Sequence, residues 1–145
     1  MGWQGWAVRV MGPRFGVTPS WADFWATNGL LIVFGGSAAI VGWSAPGFAL
    51  GFPALCLINA AFFHFLPTAQ ARRPNPGFFS ALLLYLPIAV WAYIAASGDG
   101  VLGAPALLLS ILIGAVAMAS AVVILILKAR LAYPDAGPAS PPTAR

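Results

Sequence analysis

The chain has 145 residues, of which 61% are hydrophobic and 7% charged, with seven Lys or Arg against three Asp or Glu. A soluble domain carries about 25% charged residues, so these ten charged side chains cannot cover a water-facing surface and a soluble globular domain is excluded. The net charge of +4 accompanies long apolar runs, so lipid phosphates or another protein are the implied counter-charge and no nucleic-acid partner is expected.

Taken in chain order, residues 1–20 mix Trp, Arg, Gly and Pro and never make the short apolar core of a cleavable signal. Trp3, Trp6 and Val10 fall at helical spacing with Arg9 opposite, which suits a helix lying along the cytoplasmic interface. An irregular arm fits equally well, and Gly12-Pro13 would end any such helix. Four apolar runs follow, each long enough to cross a hydrocarbon layer of about 30 Å. They cover about 21–43, 48–66, 77–96 and 102–127 and contain no charge at their centres. The expected fold is all-α, an integral membrane protein of four transmembrane helices over residues 21–131, with antiparallel neighbours.

Local punctuation supports these limits. Ser20 and Asp23 have capping-box spacing at the start of the first span. Asn75-Pro76-Gly77 reads as an N-cap followed by proline at the first position of the third span. Pro105 suits the same opening role in the fourth. Ser44–Gly47 and Ser97–Val101 are short turn sequences. Pro53 and Pro87 fall inside the second and third spans and should kink them, freeing the carbonyls of Ala49 and Leu83. Residues 132–145 form a Pro-rich tail without an apolar period.

Arg9, Arg14, Arg72, Arg73, Lys128, Arg130 and Arg145 all fall on one set of ends, and the two other links carry no Lys or Arg. Basic loops stay cytoplasmic, so both termini are expected inside. Six arginines against one lysine, with abundant Ala, Gly and Pro, suggest a GC-rich bacterial genome and hence the bacterial inner membrane. Arg9, Arg14, Arg72 and Arg73 are the candidate contacts to lipid headgroups or a partner. Within the Arg72–Gly77 turn, the arginine pair is expected to matter more than the Asn75 cap.

The polar residues in or near the spans are Asn28, Ser37, Asn59, His64, Thr68, Ser80, Tyr85, Ser110 and Ser120. No carboxylate pair is available for acid–base chemistry. One His and one Cys, Cys56, cannot make a zinc site. A Ser-His-Asp arrangement would have to recruit an Asp from a helix end, with Asp99 on the opposite membrane face. No enzyme activity, no metal and no intrinsic cofactor are expected; a pigment or quinone held by a partner is the remaining route to one. His64, Asn59 and Thr68 are candidates for a ligand contact or for interhelical hydrogen bonds. On a regular helix Asn59 is five positions from His64 and points about 140° away, so the two do not make one site. Gly35 with Ala39, Ala38 with Gly42, Ser110 with Gly114 and Ala115 with Ala119 are small pairs that let helices approach closely.

The stretch HFLPTAQARRPNPGFFSALLLYLP, from His64 to Pro87, resembles the signature of the HXXEE-type small bacterial membrane proteins, a family of unknown function. That pattern has an Asn and then a His near a helix end, a Thr one turn on, an Arg, a Pro-Gly, a Thr-Ala and a Leu-x-x-Pro. His64, Thr68, Arg72, Pro76-Gly77, Ser80-Ala81 and Leu84-x-x-Pro87 fall at compatible spacings. Two departures stand out: the chain has no glutamate, and Asn59 precedes His64 by five positions where the family has four. The resemblance therefore implies a shared helix–turn–helix around Arg72–Gly77 and no activity. The expected role is a non-catalytic accessory subunit packed against a larger membrane complex of respiratory or photosynthetic type. The alternative is a small carrier or lipid- or quinone-binding protein using His64 and Asn59.

Overall fold

A computed structural model describes residues 3–132. Every regular element among them is helical, and four helices are long and apolar enough to cross a membrane: Trp21–Ser44, Pro46–Ala71, Phe78–Gly98 and Ala104–Lys128. These are the first to fourth spans. The Pro-rich tail and Arg145 lie outside the described residues, as does the side chain of Arg14.

The N-terminal segment is a helix, Trp3–Phe15. It does not stop at Gly12-Pro13. Proline lacks only its own N–H, and the turn closes two residues later through Gly16 N–H to the Gly12 carbonyl at 2.9 Å. Gly16, at φ 65°, then reverses the chain. Ala7 on this helix and Val17 and Pro19 in the link after it are buried, and Trp6 and Ala7 share a cavity wall with residues of all four spans. The first span opens on a reciprocal capping box, in which Asp23 N–H donates to Ser20 Oγ and Ser20 N–H to the Asp23 carboxylate.

The second span starts earlier and ends later than the apolar run suggested. Only Ala45 separates it from the preceding short 3₁₀ turn, because Pro46 serves as its first helical residue. The helix breaks at Leu50, ahead of Pro53. It then runs as α-helix over Gly51–Asn59, as a π turn over Ala60–Phe65, and as α-helix again over Leu66–Ala71. Pro67 is therefore inside the span and not beyond it. The third span repeats the device, with a π turn over Ala81–Tyr85 just ahead of Pro87. In both, the residue before the proline donates five residues back, Leu66 to the Ala61 carbonyl and Leu86 to that of Ala81. Widening the helix by one residue takes up the disruption that each proline imposes on its preceding turn. The fourth span continues beyond its apolar run to Ala132.

The second span is the most enclosed, with 39% of its most apolar stretch buried against 6%, 11% and 11% for the others. Its small residues permit close approach to the fourth span. A Cβ added at Gly114 would lie 2.7 Å from the Leu55 nitrogen and 2.8 Å from the Ala54 Cβ. Gly47 and Gly51 are covered in the same way by Leu109 and Ile113. A polar knot joins three spans: Ser110 Oγ donates to the Leu107 carbonyl at 2.7 Å, and the Tyr93 hydroxyl lies 2.8 Å from Ser110 Oγ and 3.4 Å from the Leu50 carbonyl. Large apolar side chains such as Ile32, Ile40, Trp91 and Leu108 stay exposed, as a lipid-facing surface requires.

Candidate functional site

The site begins with a missing hydrogen. Pro67 has no N–H, so the Phe63 carbonyl lacks the donor that an α-helix would supply. Asn75, from the link after the second span, provides it: its Nδ2 donates to the Phe63 oxygen at 2.7 Å. The other end of the same amide, Oδ1, lies 3.2 Å from His64 Nδ1. Asn75 N–H in turn donates to Thr68 Oγ1 at 3.3 Å. Gly77 closes the turn at φ 91°, and an added Cβ there would come within 2.5 Å of His64 Cε1. The imidazole therefore lies on a position that only glycine can occupy.

This arrangement corrects the expected cap. Gly77, and not Asn75, precedes the third span, and Pro76 belongs to the turn. The Asn75 side chain is engaged with Phe63 and His64 and is not available for the helix start. Only its backbone carbonyl serves there, accepting from Phe78 N–H at 3.1 Å.

The angular separation of Asn59 and His64 is corrected too. In a π turn the hydrogen bond joins residues five apart, so such residues come nearly one above the other. Both side chains line one cavity of about 620 Å³, shared with Asn28 of the first span, Tyr85 of the third, Met118 of the fourth and Trp6 of the N-terminal helix. Small-molecule sites are typically about 300–1,000 Å³.

Asn59 is incompletely satisfied. Its Nδ2 meets only the Met118 thioether at 3.7 Å, and its Oδ1 is buried without a hydrogen bond. The other spanning polar groups are mostly neutralised within their own helices: Asn28 donates to the Phe24 carbonyl, Ser37 to Val33 and Ser120 to Ala117. Asn59 stands apart from them.

Arg72 and Arg73 are exposed and outside this cluster, as is Arg9. Arg72 instead ends the second span in the left-handed region at φ 50°. Lys128, at the end of the fourth span, pairs with Asp23 at the start of the first at 2.5 Å. Trp43 Nε1, at the end of the first span, donates to Asp99 after the third at 2.8 Å. Neither pair, nor the role of Tyr93, has a signal in the spacing of the sequence, since each joins residues far apart in the chain. Among the described residues no group of three or more His, Cys, Asp or Glu side chains could hold a metal ion.

The fold and site define a four-span helical membrane protein with a histidine–asparagine turn beside a largely apolar cavity. A family described as protein of unknown function with HXXEE motif matches residues 13–92, more than half of the chain, and the chain belongs to that family. Its eponymous motif is missing here, because the chain contains no glutamate. No curated protein and no solved structure matches the chain.

Proposed function

We propose that this chain is a non-enzymatic, multi-pass protein of the bacterial inner membrane that takes an amphipathic molecule of the lipid or quinone class from the bilayer into the cavity beside His64. The observation that carries this reading is the Asn59 carbonyl oxygen, buried without a partner on a residue of the cavity wall. An unsatisfied buried acceptor costs about 1–3 kcal/mol, which a ligand that donates to it can recover. With a turn of the Asn59 amide, held by its 3.7 Å contact with Met118, a ligand head group supplies the missing donor while its tail occupies the apolar remainder.

In this proposal the spans alternate in direction and both termini are cytoplasmic. Support comes from the seven-to-zero distribution of basic residues between the two sets of ends, and from the meeting of Asp23 with Lys128 at one set and Trp43 with Asp99 at the other. A second reading, the accessory subunit, draws on the first span, whose apolar stretch is only 6% buried. A helix held so little by its own chain has a face free for another subunit.

Purification from the native membrane in mild detergent, followed by native mass spectrometry, separates the two. A single chain or homo-oligomer carrying a lipophilic molecule at fixed stoichiometry is the expected result. Other subunits at fixed stoichiometry with no small molecule would replace the binding reading with the accessory one.

A further inference from the structure

The hydrogen bonds around Asn75 determine which imidazole nitrogen of His64 carries the proton. Because Pro67 leaves the Phe63 carbonyl without its helical donor, Asn75 must present its NH₂ to that oxygen, 2.7 Å away. Turning the amide over would set two oxygens against each other. Asn75 Oδ1 is thus the atom facing His64 Nδ1 at 3.2 Å, and a carbonyl oxygen needs Nδ1 to be the protonated nitrogen. A neutral imidazole has one N–H, so Nε2 keeps a bare lone pair. The Pro76 backbone carbonyl is a second acceptor beside the ring, and the 3.2 Å contact of Nδ1 with Asn75 is the one from which the tautomer is read. Gly77, pressed on Cε1, holds the ring in place.

His64 and Asn59, both residues of the cavity wall, therefore each hold an acceptor in want of a donor, Nε2 on the ring and Oδ1 on the amide. The Asn59 amide is held only by its 3.7 Å contact with Met118, so its carbonyl can turn toward a donor at small cost. Tyr85, also on the wall, has a hydroxyl that both donates and accepts and does not select between head groups.

We propose, resting on the binding reading above, that this cavity selects a head group that donates a hydrogen bond, a phenol or quinol hydroxyl, over one that only accepts, such as a quinone or an ester, and that His64 Nε2 receives that hydrogen. The selectivity follows from satisfaction of buried groups: an accept-only head group leaves both lone pairs unmet and adds its own.

The test uses the full-length protein in nanodiscs of neutral lipid with a histidine-free affinity tag. A long-chain 4-alkylphenol is compared with its methyl ether, which keeps size and tail but loses the donor and introduces no redox chemistry. Concentrations are expressed per lipid, so partitioning cancels. The phenol should bind on the order of ten-fold tighter, the scale of one well-made hydrogen bond. His64 is the chain's single histidine, so ¹⁵N-histidine labelling at pH 8, above the ordinary histidine pKa of about 6.5, reports this ring alone. Nδ1 should be the protonated nitrogen, and the phenol should move the unprotonated Nε2 signal while the ether does not. Equal affinity, or an Nε2-protonated ring, overturns the selectivity and leaves the binding reading standing. Failure of both compounds to bind overturns the binding reading itself.

Discussion

Replacing Asn75 by alanine tests how the turn is held. Asn75 is 9% exposed, and its side chain makes two contacts, to the Phe63 carbonyl at 2.7 Å and to His64 at 3.2 Å. Each hydrogen bond contributes about 1 kcal/mol net, and orphaning a buried carbonyl adds about 1–3 kcal/mol. Because Pro67 cannot supply a replacement donor, the Phe63 oxygen has no local alternative. The expected destabilisation is about 3–5 kcal/mol, above the roughly 1 kcal/mol of a lost helix cap. Arg72→Gln with Arg73→Gln removes two exposed cations whose value, about 1 kcal/mol each, exists only near an anionic surface. In neutral detergent the Asn75 change should therefore cost more stability than the arginine pair, a different quantity from the yield or partner association for which the sequence ranks the arginine pair first. Reversible unfolding in mixed dodecyl maltoside and dodecyl sulfate micelles, followed by tryptophan fluorescence, measures both. A loss below 1 kcal/mol for Asn75→Ala, or a larger loss for the arginine pair in those micelles, would refute the reasoning.

Gly77→Ala places a methyl within 2.5 Å of His64 Cε1 at φ 91°; strain and overpacking together should cost about 2–4 kcal/mol, and the same unfolding assay should show most of it relieved in Gly77→Ala with His64→Ala. Gly114→Leu directs a side chain into the backbone at Leu55 and should abolish the folded monomer on size-exclusion chromatography, whereas Gly36→Leu, where no atom lies within 4 Å, should not. Tyr93→Phe leaves Ser110 bonded to Leu107 and removes only the link between spans, with an expected loss of about 1 kcal/mol. Lys128→Gln breaks a pair in which the lysine is 53% exposed, so the loss should stay below about 1 kcal/mol and shrink as salt is raised.

The four spans were legible because apolar runs and helix length are local properties, and Ser20 with Asp23 was legible because a capping box is a four-residue signal. The course of the second span was not. Its prolines read as a kink and an end, but a π turn allowed the helix to pass Pro67, with Asn59 and His64 both on the wall of one cavity. Regular helical spacing does not hold through a π turn. Asn75 failed for a related reason: an Asn-Pro-Gly sequence has the grammar of a cap, yet the stronger demand on its amide came from Phe63, twelve residues back. The resemblance found from His64 to Pro87 was the most far-reaching sequence signal, since the family match runs on to residues 13–92.

The central claim is that the cavity beside His64 holds a molecule from the bilayer. Ala121, on the fourth span, lies on its wall, and Ala121→Phe adds bulk to the cavity. The most direct measurement is quantitative mass spectrometry of lipophilic molecules retained by nanodisc-purified wild type, Ala121→Phe and Asn59→Leu, each shown to be folded by circular dichroism. One species retained at constant stoichiometry by the wild type and lost from both variants is the result the account requires. Identical profiles in all three, or bulk lipid alone in the wild type, would contradict it.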